Sequence, residues 1–354
     1  MTAMCPSREF LQGRILSRRE FACSVAGLRP AIKALQDPQP GPAEAGAAVA
    51  LVLGGDRLSA VRKVLEMLEE PSFRSEEVLV KASYGSAYPY PATTHPDTLR
   101  SVVRALRESG CDRLRLVERS GMGATRRVWE RLQVTALAAR LGLDLLALDE
   151  LPAEEWTVQD LPGSHWKRGV EVPRLLAGEA LSVQVCNLKA HRFGGYFSAG
   201  IKNALGVVSK DSHIGEDHNF MAELHNSPDQ RLMIAEASAV FRPKFTVMDA
   251  IQVFISEGPE RGEVAEPRVV AASRDRVALD AAGLAILRLY SARIPGSRRN
   301  IFELEQIHRA GELGIGVKDP DLVRFVTQDP GSRALASQLK ALMANVQEKK
   351  DPRE

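Results

Sequence analysis

The chain predicts an α/β fold: a mostly parallel, doubly wound sheet with an irregular antiparallel excursion. Three observations carry this. Short apolar runs of strand length recur from Ala47 onward, each closed by glycine or a charged residue. Between them stand segments whose apolar residues fall at helical spacing. Strand and helix alternate at the interval of parallel strands joined by crossover helices, except from Leu151 to Gly178, where the pattern turns irregular.

The elements come in order along the chain. Residues 1–46 end in DPQPGPAEAG, a Pro/Gly/Ala linker, and stand outside the fold. Within them Ser17-Arg18-Arg19-Glu20-Phe21 looks like a twin-arginine export signal. The apolar run behind it, Ala22 to Leu28, is cut by Arg29, Pro30 and Lys33, whereas a secretory core needs about 7–15 uninterrupted apolar residues. We read a degenerate leader, which favours a cytoplasmic location and leaves export by that route open. The α/β domain spans 47–325, and 326–354 form a charged helix and tail.

AVALVLGG at 48–55 reads as the first strand, and the next segment has helical spacing at Leu58, Val61, Val64, Leu65 and Leu68, with Asp56 as cap. Glu77–Val80 is the second strand, running into Lys81. An aromatic and proline-rich loop leads to a helix whose start Asp97 or Thr94 can cap. Then come the strand DRLRLVE, the loop RSGMGAT, one helix from Arg126 to Leu141, and the strand LDLLALDE. Leu151–Gly178, with Trp156 and Trp166, is the antiparallel excursion. A strand opens at Leu181, a helix covers Ser227–Val240, and Lys244–Ile255 is a strand interrupted by Asp249. PRVVAASRDRVALD is a strand running into a helix, and two helices close the chain.

Composition narrows the function. Hydrophobic residues at 44% and charged residues at 26% are ordinary for a globular domain. A net charge of +2 gives no case for nucleic acid or a membrane surface, and no run of ~18 apolar residues exists to span a bilayer. Cys5, Cys23, Cys111 and Cys186 are scattered without a CxxC, so neither a structural zinc site nor an iron–sulfur module is encoded. Cys186 is either a reactive thiol or a small buried hydrophobe. GMGAT does not complete GxGxxG, and the P-loop and GxSxG patterns are absent.

The candidate chemistry gathers in LSVQVCNLKAHRFGGYFSAGIKNALGVVSKDSHIGEDHN, residues 181–219. A buried-type strand that ends in a burst of Asn187, Lys189 and His191 is the profile of a site at the carboxyl end of a sheet strand. Lys189 and His191 share a face of an extended strand, and the next helix presents Lys202 and Asn203. Paired lysines make a positive pocket and lower each other's pKa; the alternative is solvated lysines. His213, Asp217 and His218, with His225 nearby, are types that suit zinc, iron or nickel, so a divalent metal is open, as is a plain exposed loop. Thr93, Thr94 and His95 stand at a helix start that either takes an anion or is simply capped. Asp249, inside an apolar strand, requires a partner. Asp275 and Asp280 sit at a strand-to-helix junction, where capping competes with function.

PATTHPD at 91–97, CNLKAH at 186–191, GIKNALGVV at 200–208, TVMDAI at 246–251, EGPERGE at 257–263, SRDRVALDA at 273–281 and ELGIGVKDP at 312–320 occur in this order. Together they resemble the prokaryotic domain-of-unknown-function family 362, from about Val80 to Pro320. The resemblance implies an α/β fold, frequent twin-arginine leaders, and a site at Thr93, Thr94, His95, Lys189, His191, Lys202, Asn203, Asp249 and Asp280. It implies no particular reaction. The family tends to have Lys-Pro-Asn where Lys81-Ala82-Ser83 stands, and an Asp where Glu118-Arg119 stands.

The reading is an enzyme acting on an anionic small molecule that carries phosphate or carboxylate. His95, His191, Lys189, Lys202 and Asp249 are the catalytic candidates; Lys81, Thr93, Thr94, Asn203 and Asp280 are the ligand-binding ones. Isomerisation, a redox step and metal-assisted chemistry stay open. The alternative is a non-catalytic protein that holds an anion or metal in the same pocket.

Overall fold

The computed structural model describes residues 46–68, 77–178, 180–295 and 299–344. The first half builds one layer of helices on a parallel sheet. Strand β1 (Ala47–Leu53) leads into α1 (Arg57–Met67), whose first turn is closed by the Asp56 carboxylate accepting from the N–H groups of Leu58 and Ser59. β2 (Glu77–Lys81), α2 (Pro96–Glu108) and β3 (Arg113–Glu118) come next. The single helix expected from Arg126 to Leu141 is two, α3 (Thr125–Arg131) and α4 (Val134–Leu141), because Gln133 adopts a left-handed φ of 57° between them. β4 (Asp144–Ala147) ends this half.

The irregular stretch is an antiparallel hairpin, β5 (Trp156–Gln159) with β6 (Val170–Pro173), continued by the single turn α5 (Arg174–Ala177). β7 (Ser182–Asn187) returns to the main sheet. A two-residue hairpin, β8 (Lys189–Ala190) and β9 (Phe197–Ser198), then leads into α6 (Gly200–Asn203), which a 3₁₀ turn extends to Val207. The chain continues through α7 (Phe220–Asn226), α8 (Gln230–Ser238), β10 (Thr246–Ala250), the small pair β11 (Val253–Phe254) and β12 (Val264–Ala265), and β13 (Val269–Ser273). Last come α9 (Arg276–Leu289), α10 (Glu305–Glu312), β14 (Val323–Val326) and α11 (Pro330–Ala344).

The main sheet has eight strands in the order β14-β1-β13-β10-β7-β2-β3-β4. All adjacent pairs are parallel except those of β13, which runs against both β1 and β10. The reason is local. Between β10 and β13 stands only the β11–β12 pair, with no helix long enough to carry the chain back for a parallel return.

Alternation along each strand divides the core. Ala50, Val52, Val183, Val185 and Val247 pack with α1, α2 and α4 on one face. Val49, Leu51, Cys186, Met248 and Ala271 pack with α8, α9, α10 and α11 on the other. Every residue of α9 from Arg276 to Arg288 is buried, as expected of a helix apolar nearly all round. The last helix belongs to this core through Leu339 and Met343. Among the described residues no helix is long and apolar enough to cross a membrane.

Candidate functional site

Parallel pairing brings the carboxyl ends of β2, β3 and β7 side by side, and a cavity of about 210 Å³ opens there. Its walls come from four main places, with Pro259 of the β11–β12 loop added. The end of β2 and its loop give Lys81, Ser83, Gly85, Ser86 and Ala92; the end of β3 gives Glu118, Arg119, Gly121 and Met122. The β8–β9 hairpin gives Lys189, His191, Phe193 and Ser198; the stretch from α6 to α7 gives Lys202, Asn203, Leu205, Gly206, Met221 and His225.

The floor is an ion pair. Lys81 Nζ lies 3.0 Å from Glu118 Oε1, both side chains being 1% exposed, and Nζ also donates to Ala82 O and Asn203 Oδ1. Glu118 accepts further from the N–H groups of Tyr84, at 2.7 Å, and Arg119, at 3.1 Å. Burial pulls the Lys81 ammonium down and the Glu118 carboxyl up, and their contact opposes both. Gly206 is required here: a Cβ on it would stand 2.4 Å from Glu118 Oε1 and 2.6 Å from Lys81 Nζ.

Two more lysines face the cavity. Lys189 is buried and donates to Ala92 O at 2.9 Å. Burial first, then the charges of Lys202 and Lys81, lower its pKa from 10.5 to about 7. Lys202 is half-buried, and no acceptor meets its ammonium among the described residues. Burial and Arg119 bring it down to about 8. Asn203 is engaged at both ends, its Oδ1 accepting from Lys81 Nζ and its Nδ2 donating to Val185 O at 3.1 Å. Arg119 is buried and spans Val208 O and Leu205 O.

His191 is pushed well below its ordinary pKa, by burial first and then by Lys202, Lys189 and His225. Its Nδ1 accepts from the Phe193 N–H at 3.2 Å, which assigns the proton of the neutral ring to Nε2. Neutral His191 is therefore a hydrogen-bond donor beside cations.

Asp280 lies behind this wall. Its carboxylate accepts from the N–H groups of Gly200, at 2.7 Å, and Ile201, at 3.0 Å, occupying the first turn of α6 and fixing how Lys202 and Asn203 are presented. Burial raises it to about 7.

Of the residues singled out in the sequence, Lys81, Lys189, His191, Lys202 and Asn203 meet at the cavity together with His225, and the others do not line it. Thr93 Oγ1 donates to Tyr88 O, and Thr94 Oγ1 takes the Ser83 N–H and donates to Asn187 Oδ1, so both shape the loop that offers Ala92 O to Lys189. His95 caps α2, its Nδ1 accepting from the Asp97 N–H at 3.1 Å, in place of the expected Asp97 or Thr94. Asp249 is saturated by Arg57, Thr98, Tyr90 and the Ile251 N–H.

The residues expected to suit a metal lie apart, each with its own surroundings. His213 stacks on Trp156 with ring centroids 4.4 Å apart, His218 Nε2 meets Glu223 Oε2 at 2.7 Å, and Asp217 is exposed. Among the described residues no three His, Cys, Asp or Glu side chains converge to hold an ion. Cys186 is fully buried, and that burial raises its thiol well above the ordinary range, which matches the small buried hydrophobe of the two sequence alternatives.

Sequence reasoning did not single out Glu118, Arg119, Met122 and Met221 as site residues. The signal for the first two was a charged pair at the end of an apolar strand.

A crystal structure of a protein from Thermotoga maritima is similar with a TM-score of 0.43 and 14% identity, over 68% of this chain; this chain spans 60% of that one. The lactate racemase apoprotein from Thermoanaerobacterium thermosaccharolyticum is similar with a TM-score of 0.37 and 13% identity, over 86% of this chain and 88% of that one. No curated protein matches. The family model described as Domain of unknown function (DUF362) matches residues 78–285, more than half of the 354 residues. The chain belongs to the DUF362 family.

Proposed function

We propose that this chain is an enzyme that binds a small anion, carrying carboxylate or phosphate, and moves a proton on it through Lys202. The observation that carries the proposal is the Lys202 ammonium, which faces the cavity without an acceptor among the described residues, between Lys189, Arg119 and His191. Lys81, Lys189, Lys202 and Arg119 against the single carboxylate of Glu118 make the walls net positive, so a bound anion replaces lost hydration with fixed charge. About 210 Å³ is small for a ligand site and fits a small metabolite.

Each role derives from the partners. With a pKa of about 8, roughly a tenth of Lys202 is neutral at pH 7, enough for a base that recovers its proton quickly. Lys189 holds negative charge and is itself oriented by Ala92 O. The Nε2–H of His191 donates to an oxygen on which charge develops when the neighbouring carbon loses its proton. Asn203 and Asp280 position Lys81 and α6 and do not reach the ligand. This arrangement favours isomerisation among the reaction classes the sequence left open.

The test incubates the full chain in deuterated water with small carboxylates, 2-oxo acids and phosphate monoesters, and tracks deuterium into carbon positions by NMR. Wild type exchanges at least one class. Lys202→Ala loses at least ~100-fold of the rate, and His191→Ala loses exchange as well, both with an unchanged thermal midpoint. Binding without exchange establishes the non-catalytic anion holder instead. Absence of binding, with both variants unstable, refutes the site.

A further inference from the structure

We infer that the ligand is an amphiphilic anion, whose charged head meets the lysines and whose apolar tail leaves along Leu205, Met221, Phe193 and Met122. This rests on the proposed anion site and adds the other half of the molecule bound there.

The observation is the apolar part of the cavity wall. Leu205 is 9% exposed and Met221 half-buried, while Phe193 is 38% and Met122 48% exposed. Phe193 and Met122 are thus two of the few large hydrophobic side chains that the described surface leaves open to water, and both line this one cavity. Single exposed hydrophobes on a surface require no explanation. Two from separate loops line the same concavity as a buried leucine and a second methionine, and we take the four, graded from buried to exposed, as an apolar track from inside to solvent.

Local structure holds the track in place. The Met122 N–H donates to Gly85 O at 2.9 Å, which ties the β3 loop to the β2 loop. Met221 sulfur lies 3.6 Å from an Arg119 nitrogen, so the track passes directly beside the cationic wall. The Arg192 guanidinium covers one face of Phe193 at 4.4 Å and stiffens it at the tip of the β8–β9 hairpin. Methionines accommodate tails of differing shape, because their unbranched chains repack at small cost. A fully polar ligand would leave this surface wet, and a neutral lipid would leave Lys202 without an acceptor; a ligand with both parts satisfies both walls.

The test measures affinity of the full-length protein for acetate, butyrate, hexanoate and octanoate by calorimetry. In wild type each methylene tightens binding by roughly fourfold until the tail clears the mouth. Met122→Ser with Phe193→Ser, both exposed and so tolerated by the fold, flattens that dependence on chain length. Lys202→Ala weakens every member while the chain-length dependence persists. If affinity in wild type is independent of chain length while Lys202→Ala still weakens binding, the anion site stands and the apolar track is refuted. An unchanged slope in the double serine variant places the tail elsewhere and likewise overturns the inference. If none of the carboxylates binds, the track falls, and if inorganic phosphate fails to bind as well, the anion reading falls with it.

Discussion

Lys189 is held in place against its own electrostatics, and replacing it with methionine exposes the cost. The side chain is 3% exposed and its pKa drops from 10.5 to about 7, chiefly through burial. Between those values the unfolded chain carries the proton and the folded one does not, so stability rises with pH across that window. Below pH 7 both states are protonated and the folded state bears the full penalty, about 5 kcal/mol for 3.5 units at ~1.4 kcal/mol each, and at pH 7, where the folded lysine is half protonated, the penalty is only ~0.4 kcal/mol smaller. Methionine fills the same volume without the charge. Against this gain, Ala92 O loses its donor, which costs about 1–3 kcal/mol. Lys189→Met is therefore more stable than wild type by about 2–4 kcal/mol at pH 7. By pH 9 only about 1.5 units of the penalty remain, and the two proteins converge. Urea unfolding of both proteins between pH 6.5 and 9.5 measures the difference, from which other titrating groups largely cancel. A difference that stays constant with pH, or one that grows toward alkaline pH, refutes the reasoning. On the proposed function the same variant should also lose anion binding, which calorimetry with small carboxylates checks; a lysine that lowers stability and is needed for the ligand is the trade expected of a functional site.

The geometry yields two further outcomes. Gly206→Ala drives a Cβ into the Lys81–Glu118 pair, which neighbouring N–H groups hold in place; urea unfolding should record a loss of about 1–3 kcal/mol, rising to 3–5 if the pair parts, and a loss below ~0.5 kcal/mol would show that the pair swings aside freely. His95→Ala removes a helix cap and should lower stability by about 0.5–2 kcal/mol with turnover intact; a tenfold fall in turnover at unchanged stability would instead make His95 catalytic.

Much of the fold was legible because its signals are local. Alternation at Val183–Val185 and helical spacing at Val61–Leu65 are written in consecutive residues, and Asp56 and Asp275 lie within three residues of the helix N–H groups they cap, although Asp275 also takes the distant Val317 N–H. The reversal of β13 was legible only as an absence, the missing helix between Ala250 and Val269. The break at Gln133 carried no signal, since nothing about glutamine announces a left-handed φ.

The site divides along the same line. LKAH and GIKN stood out because polar residues come directly after a buried strand or sit in a short buried helix. His95 and Asp249 have the residue types of catalytic groups. What sets Asp249 apart is its partners Arg57, Tyr90 and Thr98, 192, 159 and 151 residues away, a distance no local pattern spans. Glu118 is the instructive case. It is 37 residues from Lys81, yet β2 and β3 pair in parallel with Lys81 opposite Val117. Once two successive strands are taken as parallel neighbours, their last residues must emerge at the same edge. The lysine ending one and the glutamate ending the other then have to meet or be separately solvated. Both have apolar runs before them, which removes the solvated option and leaves the ion pair as the expected arrangement.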